Sequence, residues 1–133
     1  MKKDIKNLKV EDIAIAVVPR EDGNEDLWDT YFINLKQEAV KSVLINSKGY
    51  GEINGEKIRT TVLRHFFELI HPLSVVSIEP IQTKLFEITN EYWVSFVQGE
   101  YMYDKKYVFV KGRIEESNFT TIPFINRKGV MIC

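Results

Sequence analysis

Most of the chain consists of short runs in which aromatic and β-branched residues alternate with polar ones. In residues 28–36, for example, Trp28 and Phe32 fall on one side and Tyr31 and Ile33 on the other. Three further runs have the same character: residues 12–19, 40–47 and 75–81. A period of two residues is typical of β-strands. The short connection after residue 36 predicts that the runs 28–36 and 40–47 form a hairpin.

The segment from residue 91 to residue 111 gives the clearest hairpin pattern. Gln98-Gly99 predicts its turn, which would place Phe96 opposite Tyr101. One face of this hairpin carries four tyrosines: Tyr92, Tyr101, Tyr103 and Tyr107. Tyrosine buries an apolar ring and keeps a polar tip, which suits a core with hydroxyls at its rim, a pocket or an interface. The pattern leaves these alternatives open.

Two segments in the middle of the chain give weaker patterns. Residues 48–57 contain Gly49, Gly51 and Gly55, and they predict a glycine-rich loop. Residues 59–70 fit a helical stripe and strand alternation equally well, because the run is too short for its periodicity to decide. The segment is therefore predicted as either a packed helix or a strand.

These elements predict a fold that is mainly β. We expect one domain over residues 1–133, an antiparallel sandwich or partly open barrel with one or two short helices. The alternative is an α+β fold in which residues 59–70 form a packed helix. A length of 133 residues is typical of a single domain.

Composition and charge exclude several classes of protein. The 18 basic and 19 acidic residues give a net charge of −1, and the pI is about 6.1, so no nucleic-acid partner is expected. The apolar run at residues 13–18 is too short to span a bilayer, and the first residues lack the apolar core of a signal peptide. One cysteine, Cys133, excludes an intrachain disulfide. We therefore expect a soluble, cytoplasmic protein that does not interact with membranes.

No motif for catalysis, metal binding or cofactor binding is complete. The sequence Lys48-Gly49-Tyr50-Gly51 matches the first half of an RNA-recognition signature, but Glu52 stands where a base-stacking aromatic is required. The glycine spacing fits neither a dinucleotide fingerprint nor a phosphate loop. We expect no cofactor, no metal and no catalytic residue.

Two weaker features remain as candidate sites. Arg64 and His65 are adjacent, and with the nearby tyrosines they are candidate ligand residues of a pocket. A cluster of acidic residues predicts either a solvated loop or a site for a cation or a basic partner. Its members are Glu21, Asp22, Glu25, Asp26 and Asp29.

Several short segments, taken in order, resemble a known group of proteins. They are Ser47-Lys48-Gly49-Tyr50-Gly51, Arg64-His65, the run 102–109, Ile122-Pro123 and Lys128-Gly129-Val130. This pattern is similar to that of a family of short, uncharacterised bacterial proteins, some of which bear the label phenylalanyl-tRNA synthetase subunit alpha. A class II synthetase catalytic domain is far longer than this chain, so the resemblance implies neither that activity nor any site residue.

The sequence does not establish a biochemical function. The failure of every catalytic pattern favours a small, non-enzymatic binding or protein-interaction module. The alternative is a small-ligand-binding protein or small enzyme with a pocket near Arg64 and His65. A closed pocket with convergent polar groups around His65 would favour the alternative, and a flat tyrosine-rich patch would favour the interaction module. The exposed apolar surface expected on the 91–111 hairpin also predicts a homodimer through that hairpin.

Overall fold

The computed structural model describes residues 8–133, and these residues form two antiparallel β-sheets. In chain order the strands are β1 (Ile13–Pro19), β2 (Leu27–Asn34), β3 (Val40–Ile53), β4 (Glu56–Arg59), β5 (Leu63–Ile70), β6 (Ser74–Gln82), β7 (Thr89–Gln98), β8 (Tyr101–Phe109), β9 (Thr120–Ile122) and β10 (Arg127–Ile132). Two short 3-10 turns lie at Thr83–Glu87 and Glu116–Asn118. The described range contains no helix long and apolar enough to cross a membrane.

The two sheets confirm the predicted mainly β class. The first sheet has the strand order β6-β2-β1-β10-β9, and the second has the order β4-β3-β7-β8, with β5 also paired to β3. Neither sheet closes into a barrel, so the architecture is a sandwich. The α+β alternative is wrong, because β4 and β5 follow one another along the same edge of β3. That the domain extends over all of residues 1–133 stays a prediction.

Strand β1 lies at the centre of the first sheet because both of its faces are apolar. Ile15 and Val17 pack into the core between the sheets, and Ala14 and Ala16 belong to a second cluster on the outer face. Strand β10 approaches β1 so closely that a Cβ on Gly129 would collide with the carbonyl oxygen of Val17. Glycine is therefore required at this position.

The predicted hairpin between the runs 28–36 and 40–47 is wrong. Strand β2 pairs with β1 and β6, while β3 belongs to the other sheet. The buried side chain of Asn34 fixes this crossing, since its amide donates to the carbonyls of Glu38 and His71, both at 3.0 Å. Its Oδ1 atom accepts the main-chain N–H of Lys36 at 2.9 Å.

The predicted loop at residues 48–57 is also wrong, because β3 continues to Ile53. The chain then reverses at Asn54-Gly55, where both residues have positive φ values of 53° and 81°. Asn-Gly is the preferred pair for such a two-residue turn. Gly51 is needed within the strand because Ile88 packs against it and leaves little room for a Cβ.

The 91–111 hairpin is formed by β7 and β8, with a turn one residue later than predicted. Gln98 pairs with Tyr101, so the turn is Gly99-Glu100 and Phe96 lies opposite Tyr103. This moves the register by two residues, which leaves every side chain on its predicted face. The tyrosine-bearing face points into the core, where Tyr92 and Tyr107 are fully buried.

Candidate functional site

A cleft opens at one side of the sandwich, between edge strand β6 of the first sheet and strands β3, β5 and β7 of the second, with the connection between β4 and β5 at its rim. Its volume is about 340 Å³. Its polar wall consists of Ser47, Lys48, Thr60, Thr61, Glu79, Gln82 and Asn90, and its apolar wall includes Leu63, Pro80, Ile81, Leu85 and Tyr92. Apolar walls with a few polar groups at fixed positions are typical of small-molecule sites.

Glu79 is the central polar residue of the cleft. Its side chain is only 11% exposed, and its Oε1 atom lies 2.6 Å from Nε2 of His65. The hydroxyl of Ser47 lies 3.0 Å from Oε1 and 2.9 Å from Oε2 of the same carboxylate. A buried carboxylate is costly unless it is hydrogen-bonded, and these two partners meet that requirement.

A β-bulge explains why a charged side chain of an edge strand points into the sandwich. Between Asp29 and Tyr31 the pairing of β2 with β6 shifts, so that Ile78 and Glu79 together oppose the single residue Thr30. Such bulges change the direction of a side chain at a sheet edge. The buried hydroxyl of Thr30 stabilises the bulge, because it donates to the carbonyl of Glu79 at 2.6 Å and accepts its N–H at 3.2 Å.

Strands β3 and β5 supply the two partners of the carboxylate. His65 pairs with Ile45 and Ser47 pairs with Leu63, so the two side chains occupy neighbouring positions on one face of the β3–β5 ladder. Glu79, on edge strand β6 of the facing sheet, bonds to both of these side chains. The site therefore requires elements that are far apart in the sequence.

Tyr92 lies beneath the carboxylate as part of the cleft wall. Burial raises the pKa of its hydroxyl well above the usual value, and the negative charge of Glu79 raises it further. The phenol is therefore neutral at ordinary pH. Nearby, Asn90 donates to the carbonyls of Leu85 and Ile88, which connects the cleft wall to the 3-10 turn at Thr83–Glu87.

The connectivity around Glu79 differs from that of a nucleophilic triad. In a triad the serine hydroxyl is bonded to the histidine, which removes its proton. Here Ser47 and His65 each bond to the carboxylate. An ionised carboxylate has about four lone-pair positions, so Glu79 can accept further hydrogen bonds from a molecule in the cleft. Among residues 8–133 no group of three or more His, Cys, Asp or Glu side chains is arranged to hold a metal ion.

Of the six predicted site residues, one lines this cleft and a second contacts its central carboxylate from outside the lining. His65 bonds to Glu79 and Tyr92 lines the wall. Arg64, although adjacent to His65, pairs with Asn46 in the next row of the ladder and is exposed.

The other three tyrosines lie away from the cleft. The hydroxyl of Tyr107 donates to the carbonyl of Ile13 at 2.9 Å in the core. The ring of Tyr103 stacks on Phe96 with centroids 5.2 Å apart, and Tyr101 is 59% exposed beside the hairpin turn.

Sequence reasoning missed Glu79 and Ser47, the two residues that define the site. Nothing in the sequence distinguishes Glu79 from the other acidic residues except the following Pro80, which is typical of an edge strand or a bulge. Comparison of the chain with protein families, curated proteins and solved structures gave no match. The resemblance to the short bacterial proteins therefore stays a prediction.

Proposed function

We propose that the protein binds a small polar molecule in the cleft at Glu79, through hydrogen-bond donors on that molecule. The observation that supports this proposal is a largely buried carboxylate, held on one side by His65 and Ser47, that faces a cleft of about 340 Å³. This proposal belongs to the small-ligand alternative drawn from the sequence, but the site differs from the expected one: it is an open cleft centred on Glu79, His65 contacts it only through that carboxylate, and Arg64 is exposed outside it. The tyrosine-rich face is mostly core and offers no flat patch.

The chemistry of the cleft narrows the class of ligand. Glu79 offers only acceptors, so the matching ligand group is a hydroxyl, an amine or an amide N–H. Leu63 and Leu85 provide apolar contact for the body of the ligand. A volume of about 340 Å³ lies at the lower end of the range for ligand sites, about 300–1,000 Å³. We therefore favour a compact molecule such as a polyol, a sugar or an amino compound.

A nuclear magnetic resonance screen tests this function directly. Pools of small polyols, monosaccharides, amines and amino acids are added to protein labelled with ¹⁵N, and amide shifts are followed. We expect a binding compound to shift the amides of Ser47, Thr60 and Glu79, and Glu79→Gln to weaken its binding at least about tenfold. Glu68→Gln, on an exposed residue of β5, is the matched control and leaves the affinity unchanged. Shifts that avoid the cleft, or equal binding by the Glu79→Gln variant, would refute the proposal.

We also propose a homodimer through the β7–β8 hairpin, and the edge of strand β8 supports it. Edge strands present unpaired main-chain groups that a second copy can pair with. If two β8 strands pair antiparallel about Lys105, Met102 lies opposite the partner's Val108, and Asp104 lies opposite the partner's Lys106. Met102 is 71% exposed and Val108 is 36% exposed, so this register buries apolar surface and matches opposite charges. The Lys105 ammonium is directed away, since it donates to the main-chain oxygen of Cys133 at 2.9 Å.

Sedimentation velocity over micromolar concentrations tests the dimer and its register. We expect the single change Lys106→Glu to weaken association, because it sets two acidic groups opposite each other. Adding Asp104→Lys restores opposite charges across the axis and should restore the dimer. Val62→Glu, in the exposed connection between β4 and β5 and far from β8, is the control and leaves association unchanged. A monomer at every concentration would contradict the proposal.

Two further expectations from the sequence concern the kind of partner and the cellular location. The near-zero net charge supports a partner other than nucleic acid. We propose that the protein acts in the cytoplasm, which the single cysteine supports.

A further inference from the structure

A second cavity, independent of the Glu79 cleft, lies at the other side of the 3-10 turn Thr83–Glu87. Its volume is about 600 Å³. Leu85 of this turn contacts the Glu79 cleft, whereas Phe86 lines the second cavity. The turn therefore separates the two cavities, and each is lined by its own residues.

Three aromatic rings line the second cavity. The ring of Trp28 packs edge to face with Phe86, with centroids 5.0 Å apart and planes at 75°. It packs in the same way with Phe119, with centroids 5.8 Å apart and planes at 71°. Because both phenylalanines stand steeply to the indole plane, the rings form a corner instead of a flat floor. All three rings are half-buried and pack against the main core, which fixes their positions.

The charged groups around this corner are mostly acidic. Three exposed carboxylates line the cavity: Glu25, Glu115 and Glu116. The basic residue of the lining, Arg20, already has a carboxylate partner, because its Nε donates to Oδ1 of Asp29 at 3.0 Å. Within residues 8–133 none of the three carboxylates forms a salt bridge, so a positive ligand would enter a cavity whose unpaired charge is negative.

We propose that this cavity binds a small organic cation that carries a quaternary or alkylated ammonium group. Aromatic rings attract such cations through their electron-rich faces, and the attraction grows as the cation is desolvated. An alkylated ammonium is also weakly hydrated and apolar at its surface, so it suits an aromatic lining better than a metal ion. The carboxylates at the rim add a longer-range attraction that salt weakens. This inference does not depend on the Glu79 cleft.

Choline and its neutral isostere 3,3-dimethylbutan-1-ol provide a direct test, because the two differ in charge and hardly in shape. The chain has two tryptophans, so the titrations use a Trp93→Phe background in which emission reports on Trp28 alone. We expect choline to change this emission saturably. We expect the neutral isostere to bind roughly tenfold more weakly, the factor to which a cation–π contribution of about 1.4 kcal/mol corresponds.

Variants separate the contribution of the rings from that of the carboxylates. Phe119→Leu keeps an apolar wall but removes a ring, so it should weaken choline and leave the isostere unchanged, while Phe119→Tyr should restore choline binding. Glu115→Gln should weaken choline and reduce its salt dependence, whereas the control Glu52→Gln, on strand β3, should have no effect. Urea midpoints confirm that each variant is folded.

Three outcomes would overturn the proposal. Equal binding of choline and the isostere would show an apolar cavity without selectivity for charge. Full choline affinity in Phe119→Leu would show that the rings do not hold the cation. The absence of a saturable response to choline and to tetramethylammonium, up to tens of millimolar, would show that the rings serve only the core.

Discussion

Replacing Thr30 by valine tests whether the bulge that directs Glu79 into the cleft depends on one buried hydroxyl. The side chain is fully buried, and it bonds to both the carbonyl and the N–H of Glu79. Valine has nearly the same shape and the same branching at Cβ, so the change removes these bonds without opening a cavity.

The expected cost follows from the two main-chain groups that lose their partner. Each buried unsatisfied group costs about 1–3 kcal/mol. The added methyl group offsets about 0.8 kcal/mol by burying apolar surface. Two such groups together cost about 2–6 kcal/mol, so after the offset we expect the free energy of unfolding to fall by about 1–5 kcal/mol. This is a large part of the roughly 5–15 kcal/mol typical of a domain.

Urea unfolding followed by tryptophan fluorescence measures this change. The midpoint should fall while the dependence of the unfolding free energy on urea stays constant, because the same surface is exposed on unfolding. Thr121→Val, on an exposed position of β9, is the matched control and should change stability by less than about 0.5 kcal/mol. A loss below about 0.5 kcal/mol in Thr30→Val would refute the role that we assign to the hydroxyl.

Three further predictions concern the core. Gly129→Ala should lower the free energy of unfolding by about 3 kcal/mol, because the Cβ of the alanine would collide with main-chain atoms of β1. An unchanged urea midpoint would contradict this prediction. Tyr107→Phe should cost about 1–2 kcal/mol through the lost bond to Ile13, whereas Tyr101→Phe should cost nothing measurable by the same urea assay. Burial raises the pKa values of Tyr92 and Tyr107, so the folded state keeps two protons that the unfolded state loses above about pH 10. These two groups should therefore leave the free energy of unfolding unchanged below pH 10 and lower it above pH 10, by about 1.4 kcal/mol per pH unit for each tyrosine. Tyr107→Phe should remove one of the two contributions. An unchanged dependence of the unfolding free energy on pH in this variant would contradict the assignment.

The sequence predicted the strands well because alternation is a local signal, but it did not predict which strands pair. The connection between β2 and β3 is short enough for a hairpin, yet the chain changes sheets there. The contact that fixes this crossing joins Asn34 to His71, and no local pattern reports on a partner so far along the chain. The strand through residues 48–53 was missed because its glycines suggested a loop, whereas they make room for Ile88.

The candidate site was harder to predict than the fold because it forms only when distant strands meet. His65 and Tyr92 were among the predicted residues, but their roles depend on Glu79, whose direction is set by a bulge and by Thr30 of another strand. The predicted tyrosine face shows the same limit. Alternation placed its members on one face, but only the packing of the sheets shows that Tyr92 and Tyr107 are buried and Tyr101 is exposed.

The central claim is that the carboxylate of Glu79 binds a small molecule, and native mass spectrometry of the protein purified from its own host tests it most directly. We predict that the wild-type chain and the Glu68→Gln control carry a discrete additional mass, and that the Glu79→Gln variant, folded by its urea midpoint, has lost it. The bare mass of the chain in gently ionised wild-type protein, or the same additional mass on the Glu79→Gln variant, would contradict the claim.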